Sequence, residues 1–209
     1  MLRKLSLFGI LSPLFYLLHV VLGGILWKGY NHLVQPISDL TAAGAPDRGL
    51  LEIITAIYGI CGLIFAVSAF LYARSLRLRT INISLFLFII MSLITLSYNF
   101  FPQDMPGTEL TFTGFMHLAV TGLIVPVAIL SPLMAGIGFK RLGSHGRFSV
   151  YSIVTSAVIF ISGGMSVIFI AQKVPYFGLV ERINIGALQI WTFILALVIF
   201  TLDVKGREA

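Results

Sequence analysis

Residues 114–139 of the chain read GFMHLAVTGLIVPVAILSPLMAGIGF, a run without aspartate, glutamate, lysine or arginine. A helix needs about 20 residues to cross the hydrocarbon core of a bilayer, so this run is long enough to span a membrane. Two basic residues, Lys140 and Arg141, follow it directly. The run therefore predicts a transmembrane helix with a basic connection at its end.

Five further apolar runs of comparable length lie along the 209 residues. Together the six runs cover residues 5–27, 51–73, 81–101, 114–139, 150–172 and 183–204. The chain is 58% hydrophobic and 11% charged, whereas roughly a quarter of the residues in a soluble domain are charged. We therefore predict an all-α, polytopic integral membrane protein in which residues 1–209 form one bundle of six transmembrane helices with short loops.

The connections between these runs alternate in charge. Bases concentrate near the N-terminus, in residues 74–80, in residues 140–148 and near the C-terminus. The acids of the other connections are Asp39, Asp47, Glu52, Asp104, Glu109 and Glu181. Because lysine and arginine in short loops resist translocation, the pattern predicts cytoplasmic N- and C-termini.

The net charge of +6 would suggest a nucleic-acid partner in a soluble protein. Here the cytoplasmic rim explains the excess, because each base near an anionic leaflet contributes about 1 kcal/mol of attraction. We expect membrane lipids as partners and no nucleic acid. A homo-oligomer or a complex with another membrane protein is also compatible with the sequence. The single cysteine, Cys61, excludes a disulfide within the chain.

The first acidic connection contains the segment QPISDLTAAGAP, residues 35–46. Ser38 or Asp39 is a favourable helix N-cap, and Gly44 is a favourable helix terminator. Pro46 cannot continue a helix. The segment predicts a short helix at the extracytoplasmic membrane interface.

The second acidic connection contains PQDMPG, residues 102–107, which reads as a helix stop followed by a turn. Thr111 or Thr113 is expected to cap the next helix. This places His117 in the first turns of that helix, with Thr121 one turn deeper on the same face.

The third acidic connection is expected to end at Glu181 and Arg182, which open the last span. Ionisable groups within spans are costly and usually face the bundle interior or water, so His117 is a candidate functional residue. Asp39, Asp104 and Glu181 would reach it if the loops fold over the bundle mouth, and Arg182 would pair with one of these acids. A carboxylate bonded to an imidazole suits proton transfer, metal binding or loop clamping.

The predicted site is therefore a polar mouth on the extracytoplasmic side. Its predicted ligand-binding residues are Ser38, Asp39, Tyr98, Asn99, Asp104, His117, Glu181 and Arg182. Its candidate catalytic residues are His117, Asp39 and Asp104. No histidine or cysteine pair has metal-ligand spacing, so we expect no metal and no other cofactor. The weak metal candidates are His32, His117 and Asp39. His19, within the first span, is expected to be a core histidine whose hydrogen bonds are satisfied.

Three short elements in successive acidic loops carry a resemblance. They are I-S-D at 37–39 with Gly44 and Pro46, F-P-x-D at 101–104 with Gly114 and His117, and G-L-x-E-R at 178–182. In order and placement they resemble the bacterial and archaeal membrane family called domain of unknown function 998, over nearly the whole chain. That family implies a multi-pass protein of a prokaryotic plasma (inner) membrane, and it implies no established activity. The first element and the histidine are also distantly similar to the eukaryotic Frag/DRAM/Sfk membrane proteins, and this similarity implies a connection with lipids.

Two functions follow as hypotheses. The first is binding or sensing of a lipid headgroup or small amphiphile at the polar mouth, without covalent chemistry. The alternative is an intramembrane hydrolase, metal-dependent or not, in which His117 is the general base or a metal ligand and the carboxylates are its partners. A transporter is disfavoured, because the bundle midplane shows few polar groups beyond serine, threonine and His19.

Overall fold

The computed structural model describes residues 1–143 and 145–202. All regular structure in these ranges is helical. The helices are α1 (Leu2–Leu5), α2 (Phe8–Leu26), α3 (Arg48–Ser75), α4 (Arg79–Ser97), α5 (Phe112–Leu142), α6 (Gly146–Ala171) and α7 (Phe177–Thr201), with a short 3₁₀ helix (Ile37–Thr41) before α3. Six helical segments of the described ranges are long and apolar enough to cross a membrane, α1 and α2 counting as one. The predicted all-α, multi-pass membrane architecture is confirmed.

The six spans close into a ring. Each long helix packs against its neighbours in sequence, and α7 also packs against α2. The interior contains large side chains with no exposed surface, among them Phe65, Phe139 and Trp191. Close approach depends on small residues, since a Cβ on Gly138 would lie 3.0 Å from the backbone nitrogen of Ile81.

The outer surface of the bundle is apolar. On α2, Leu14, Leu17, Leu18, Val21 and Ile25 are all exposed, and their spacing places them on one helix face. Such a stripe is unfavourable in water and is expected where a helix faces lipid. The exposed stripe and the buried ring interior together account for the high hydrophobic fraction of the chain.

Residues 27–47, 98–111 and 172–176 meet at one end of the bundle, which we call the acidic end. Ala43 N donates a 2.7 Å hydrogen bond to O of Gln103, and Gly178 N donates one of 3.2 Å to O of Val34. The opposite end, where α1, residues 76–78 and the α5–α6 junction lie, we call the basic end. The three acidic connections therefore lie at one end of the bundle, as the sequence predicts.

Three boundary predictions need comment. The 3₁₀ helix confirms a short helical segment, but its N-cap is Pro36, so the expectation that Ser38 or Asp39 caps it is wrong. Helix α7 begins at Phe177 instead of residue 183, and Glu181 therefore lies inside the helix. A search for apolar runs leaves out residues 177–182 because Glu181 and Arg182 are charged. In the structure both side chains form hydrogen bonds with the first loop. Residues 203–204 of the predicted last span lie outside the described residues.

Candidate functional site

The guanidinium group of Arg182 fastens the first loop of the acidic end to α7. Its Nη1 donates hydrogen bonds of 2.9 Å to the backbone oxygens of Gln35 and Gly178. Its Nη2 donates a 2.7 Å bond to the hydroxyl of Tyr30, which itself donates a 2.6 Å bond to O of Pro36. A planar guanidinium presents several donors at fixed angles, so one side chain can join loop and helix.

The neighbouring residue strengthens the same junction. Glu181 Oε2 accepts a 2.5 Å hydrogen bond from the backbone N of Ile37, the first residue of the 3₁₀ helix. Gly178 allows the loop to approach, because a Cβ there would lie 2.8 Å from O of His32 and would overlap a second backbone oxygen. The loop therefore rests directly on the first turn of α7.

Asp39, in the 3₁₀ helix of this loop, is buried, with 1% of its surface exposed. Its Oδ1 accepts a 2.9 Å hydrogen bond from Nε2 of Gln103, in the second loop. Its Oδ2 is buried and has no hydrogen-bond partner among residues 1–143 and 145–202. Burial raises the pKa of this carboxyl to about 6, although the nearby Gln35 side chain acts in the opposite direction, and the charge of Glu181 lies within electrostatic reach. The Asp39 carboxyl is thus buried, and only one of its two oxygens accepts a hydrogen bond from the described residues.

His117 lies in the second turn of α5 and is buried. Its Nδ1 is 2.9 Å from O of Phe101, and its ring centroid is 4.8 Å from that of Tyr98. The hydroxyl of Thr121 donates a 2.8 Å bond to O of His117, which confirms that the two lie on one helix face. A carbonyl oxygen can only accept, so Nδ1 carries the hydrogen and Nε2 of the neutral ring keeps a lone pair.

Asp104 accepts hydrogen bonds from Thr111, the residue that caps the start of α5. Its Oδ2 accepts a 2.8 Å bond from N of Thr111 and its Oδ1 a 2.7 Å bond from the hydroxyl of the same residue. These hydrogen bonds hold the pKa of Asp104 below its usual value. Thr111 in turn accepts a 3.1 Å bond from N of Gly114, so the predicted threonine cap is confirmed. His117 lies within electrostatic reach of Asp104.

The predicted site residues fall into two groups at the acidic end. The first group consists of Asp39, Glu181 and Arg182, and the second of Tyr98, Asp104 and His117. Gln103 links the two groups, because it precedes Asp104 in the second loop and its side chain donates a hydrogen bond to Asp39. Ser38 is half-buried within the 3₁₀ helix, and the amide oxygen of Asn99 accepts a 3.1 Å bond from Thr55. No group of three or more histidine, cysteine or carboxylate side chains that could hold a metal ion occurs in the described ranges.

A polar column inside the bundle extends the first group toward the membrane centre. The Tyr16 ring lies 6.1 Å from that of His19 and 5.2 Å from that of Tyr58, whose hydroxyl accepts a 2.9 Å bond from Nε2 of Gln189. Glu181 lies within electrostatic reach of Tyr16. The polar column therefore begins near Glu181, which is a member of the first group.

Two residues of this column carry unsatisfied polar atoms. The Tyr16 hydroxyl and both ring nitrogens of His19 are buried without a hydrogen-bond partner in the part of the chain that the structure describes. The expectation that the hydrogen bonds of His19 are satisfied is therefore wrong. Sequence reasoning missed Tyr16, Tyr58 and Gln189; a glutamine inside an apolar run was the available signal.

Below the column lies a small cavity between α2, α3, α4 and α7. Its polar lining includes Ser12, Ser92, Gln189 and Thr192, and about 20 Å³ is open to the centre of a water molecule. A water needs roughly 10–15 Å³ by this measure and several polar partners, so one water fits. Polar side chains therefore line part of the bundle interior, although 58% of the residues in the chain are hydrophobic.

Comparison with known proteins gives a family assignment. No curated protein and no solved structure matches the chain. A family model described as "Protein of unknown function (DUF998)" matches residues 10–198. The matched segment includes both groups of the site and the polar column, and this multi-pass membrane protein belongs to that family.

Proposed function

We propose that the protein binds the polar head of a membrane lipid or other small amphiphile at the acidic end, through Asp39 and Arg182. One observation carries this proposal. Asp39 Oδ2 and Arg182 Nε are both buried, and neither has a hydrogen-bond partner among the described residues. Buried polar atoms in proteins are nearly always hydrogen-bonded, and a bound group is one way to satisfy them.

The chemistry of the two atoms defines the class of head group. An ionised carboxylate only accepts hydrogen bonds, whereas a guanidinium only donates them. A head group that meets both atoms would carry a donor, such as an ammonium or hydroxyl group, and an acceptor, such as a phosphate oxygen. Phospholipid head groups combine both.

The surroundings of the junction also suit an amphiphile. Leu33 and Val34 of the loop and Leu179 and Ile183 of α7 are exposed large apolar residues beside Arg182. They offer a path for an acyl chain from the surrounding lipid. In our proposal the ligand comes from the membrane itself, and the acidic end faces away from the cytoplasm, as the charge pattern predicts.

The test compares two aspartates of the same loop. Asp39 is buried, whereas Asp47 is exposed. Delipidated protein in detergent would be titrated separately with phosphatidylethanolamine and phosphatidylglycerol, with bound lipid counted by native mass spectrometry. We expect Asp39→Asn to weaken binding roughly tenfold or more, because a hydrogen bond to a charged group contributes about 1.5–3 kcal/mol. Asp47→Asn should bind like the wild type. Equal binding by all three proteins would refute the proposal.

A hydrolase is the second candidate, and the geometry of His117 favours it. The hydrogen bond to O of Phe101 leaves the Nε2 lone pair for proton abstraction or metal binding. In this second proposal Asp104, within electrostatic reach, stabilises the protonated imidazole. The same hydrogen bond would also serve as a clamp on the second loop, so the two roles must be separated.

The substitution His117→Asn separates them. The asparagine amide can donate to O of Phe101 in place of Nδ1, but it has no counterpart of the Nε2 lone pair. In vesicles of phosphatidylethanolamine and phosphatidylglycerol, with and without zinc, a hydrolase would lose at least about a hundredfold in lipid hydrolysis, the usual contribution of a general base. Its unfolding temperature should stay near that of the wild type. Wild-type protein without hydrolysis under either condition would exclude this candidate for these lipids.

A further inference from the structure

Among the described residues, the basic end carries cations without carboxylates to balance them. Its bases in the described ranges are Arg3, Lys4, Arg74, Arg77, Arg79, Lys140, Arg141 and Arg147. The single ion pair within 4 Å in residues 1–143 and 145–202 joins Arg48 and Glu52, beside the acidic end. Asp203 and Glu208 lie outside the described residues. The described basic end therefore attracts anions.

Two of these arginines line a pocket between the start of α4 and the last turns of α5. The pocket has a volume of about 170 Å³, and its lining includes Arg79, Thr80, Gly138 and Arg141. This volume is several times that of the water-sized cavity in the bundle interior. It admits a group much larger than one water molecule.

The pocket holds one of its cations in a fixed direction. Nη1 of Arg141 donates a 3.2 Å hydrogen bond to the hydroxyl of Thr80. The tight contact of Gly138 with Ile81 brings the backbones of α5 and α4 together beneath the pocket. Arg79, the first residue of α4, lines the same pocket. Two arginines thus border one concave space at the basic end.

We propose that this pocket binds a phosphate group between Arg79 and Arg141. Guanidinium groups match phosphate oxygens in geometry as well as charge, and bidentate bonds to phosphate are among the stronger protein hydrogen bonds. The phosphate belongs either to an anionic phospholipid of the adjoining leaflet or to a free phosphate compound. Basic pockets between spans on the cytoplasmic side are suited to lipid head groups. The site lies at the opposite end of the bundle from Asp39 and does not depend on the function proposed there.

The main test removes both pocket charges. Full-length protein would be delipidated in detergent and titrated with phosphatidylglycerol, with bound lipid counted by native mass spectrometry. The variant is Arg79→Gln with Arg141→Gln, and its matched control is Arg74→Gln with Arg147→Gln. All four arginines are exposed at the basic end, and the control pair lies outside the pocket lining. We expect the pocket variant to bind roughly tenfold more weakly or worse and the control to bind within about twofold of the wild type.

Two further measurements complete the test. Inorganic phosphate that displaces phosphatidylglycerol from the wild type would identify free phosphate as a ligand, and failure to displace it would identify the lipid as the source. Equal weakening in both double variants would overturn the proposal, because binding would then follow diffuse charge instead of the pocket. If the double variant does not fold, the single substitution Arg141→Gln is used. Unchanged affinity in that variant would also overturn the proposal.

Discussion

Replacement of Arg182 by alanine is expected to lower the free energy of unfolding by about 3 kcal/mol or more, since each hydrogen bond to a charged group contributes about 1.5–3 kcal/mol. The guanidinium donates to O of Gln35, to O of Gly178 and to the Tyr30 hydroxyl. Its removal leaves these partly buried acceptors without that donor. Chemical unfolding in detergent, followed by circular dichroism, would measure the loss.

The same change should release the first loop from α7. A cysteine introduced at Ile37 would report this, because the Ile37 side chain is buried in the folded protein and its backbone N is bonded to Glu181 of α7. We expect its rate of maleimide labelling to rise in the Arg182→Ala background. Cys61 is buried and can be replaced by alanine to remove the background signal.

Two controls separate the geometry of Arg182 from its charge. Arg182→Lys keeps the charge but presents a single ammonium, so it should recover only a minor part of the lost stability. Arg48→Ala breaks the half-buried pair with Glu52, four residues along α3 at the same end of the bundle, and helix pairs at this spacing contribute about 0.3–0.5 kcal/mol. If Arg182→Lys were as stable as the wild type, the hydrogen-bond geometry of the guanidinium would not matter. The positive charge alone would then explain the contribution of Arg182 to stability.

The number and order of the spans could be predicted from the sequence, because bilayer thickness sets the length of an apolar run without reference to tertiary contacts. The start of α7 could not. Phe177 to Arg182 contains two charged residues, and a hydropathy run therefore excludes it. In the structure these residues are helical because their polar groups contact the first loop. Tertiary contact overrides local polarity at this boundary.

The candidate site was partly predictable for a similar reason. Alternation of the loops places Asp39, Glu181 and Arg182 at one end of the bundle, whatever their detailed contacts. Their partners are mostly backbone groups of the first loop, and a backbone group carries no sequence signal. Tyr16 and Tyr58 escaped notice because tyrosine counts as hydrophobic in a compositional average.

The second large effect expected is a gain in stability from Asp39→Asn at neutral pH. The pKa of Asp39 is raised by burial from 3.8 to about 6. A raised pKa means that the folded state binds the proton more tightly than the unfolded state, so this stabilisation is complete below pH 3.8 and is lost as the pH rises through about 6. A shift of this size corresponds to about 3 kcal/mol.

The asparagine variant keeps an oxygen for Gln103 and has no proton to lose. We therefore expect it to be more stable than the wild type at pH 7.5, by up to about 3 kcal/mol, and equally stable near pH 4. Chemical unfolding of both proteins in detergent across this pH range measures the difference, which cancels the titration of all other groups. Asp47→Asn, at an exposed aspartate of the same loop, is the matched control substitution.

Stability and ligand binding should therefore change in opposite directions at Asp39. A carboxylate kept only for folding would not be buried with an oxygen that lacks a partner among the described residues, because the neutral amide of the same shape is expected to be more stable there. An Asp39→Asn variant that is more stable at pH 7.5 and binds phospholipid more weakly would show a residue retained for function at the expense of stability. A variant that is less stable at pH 7.5 would instead show that the carboxylate contributes to the fold, and the site would then have to be sought around His117.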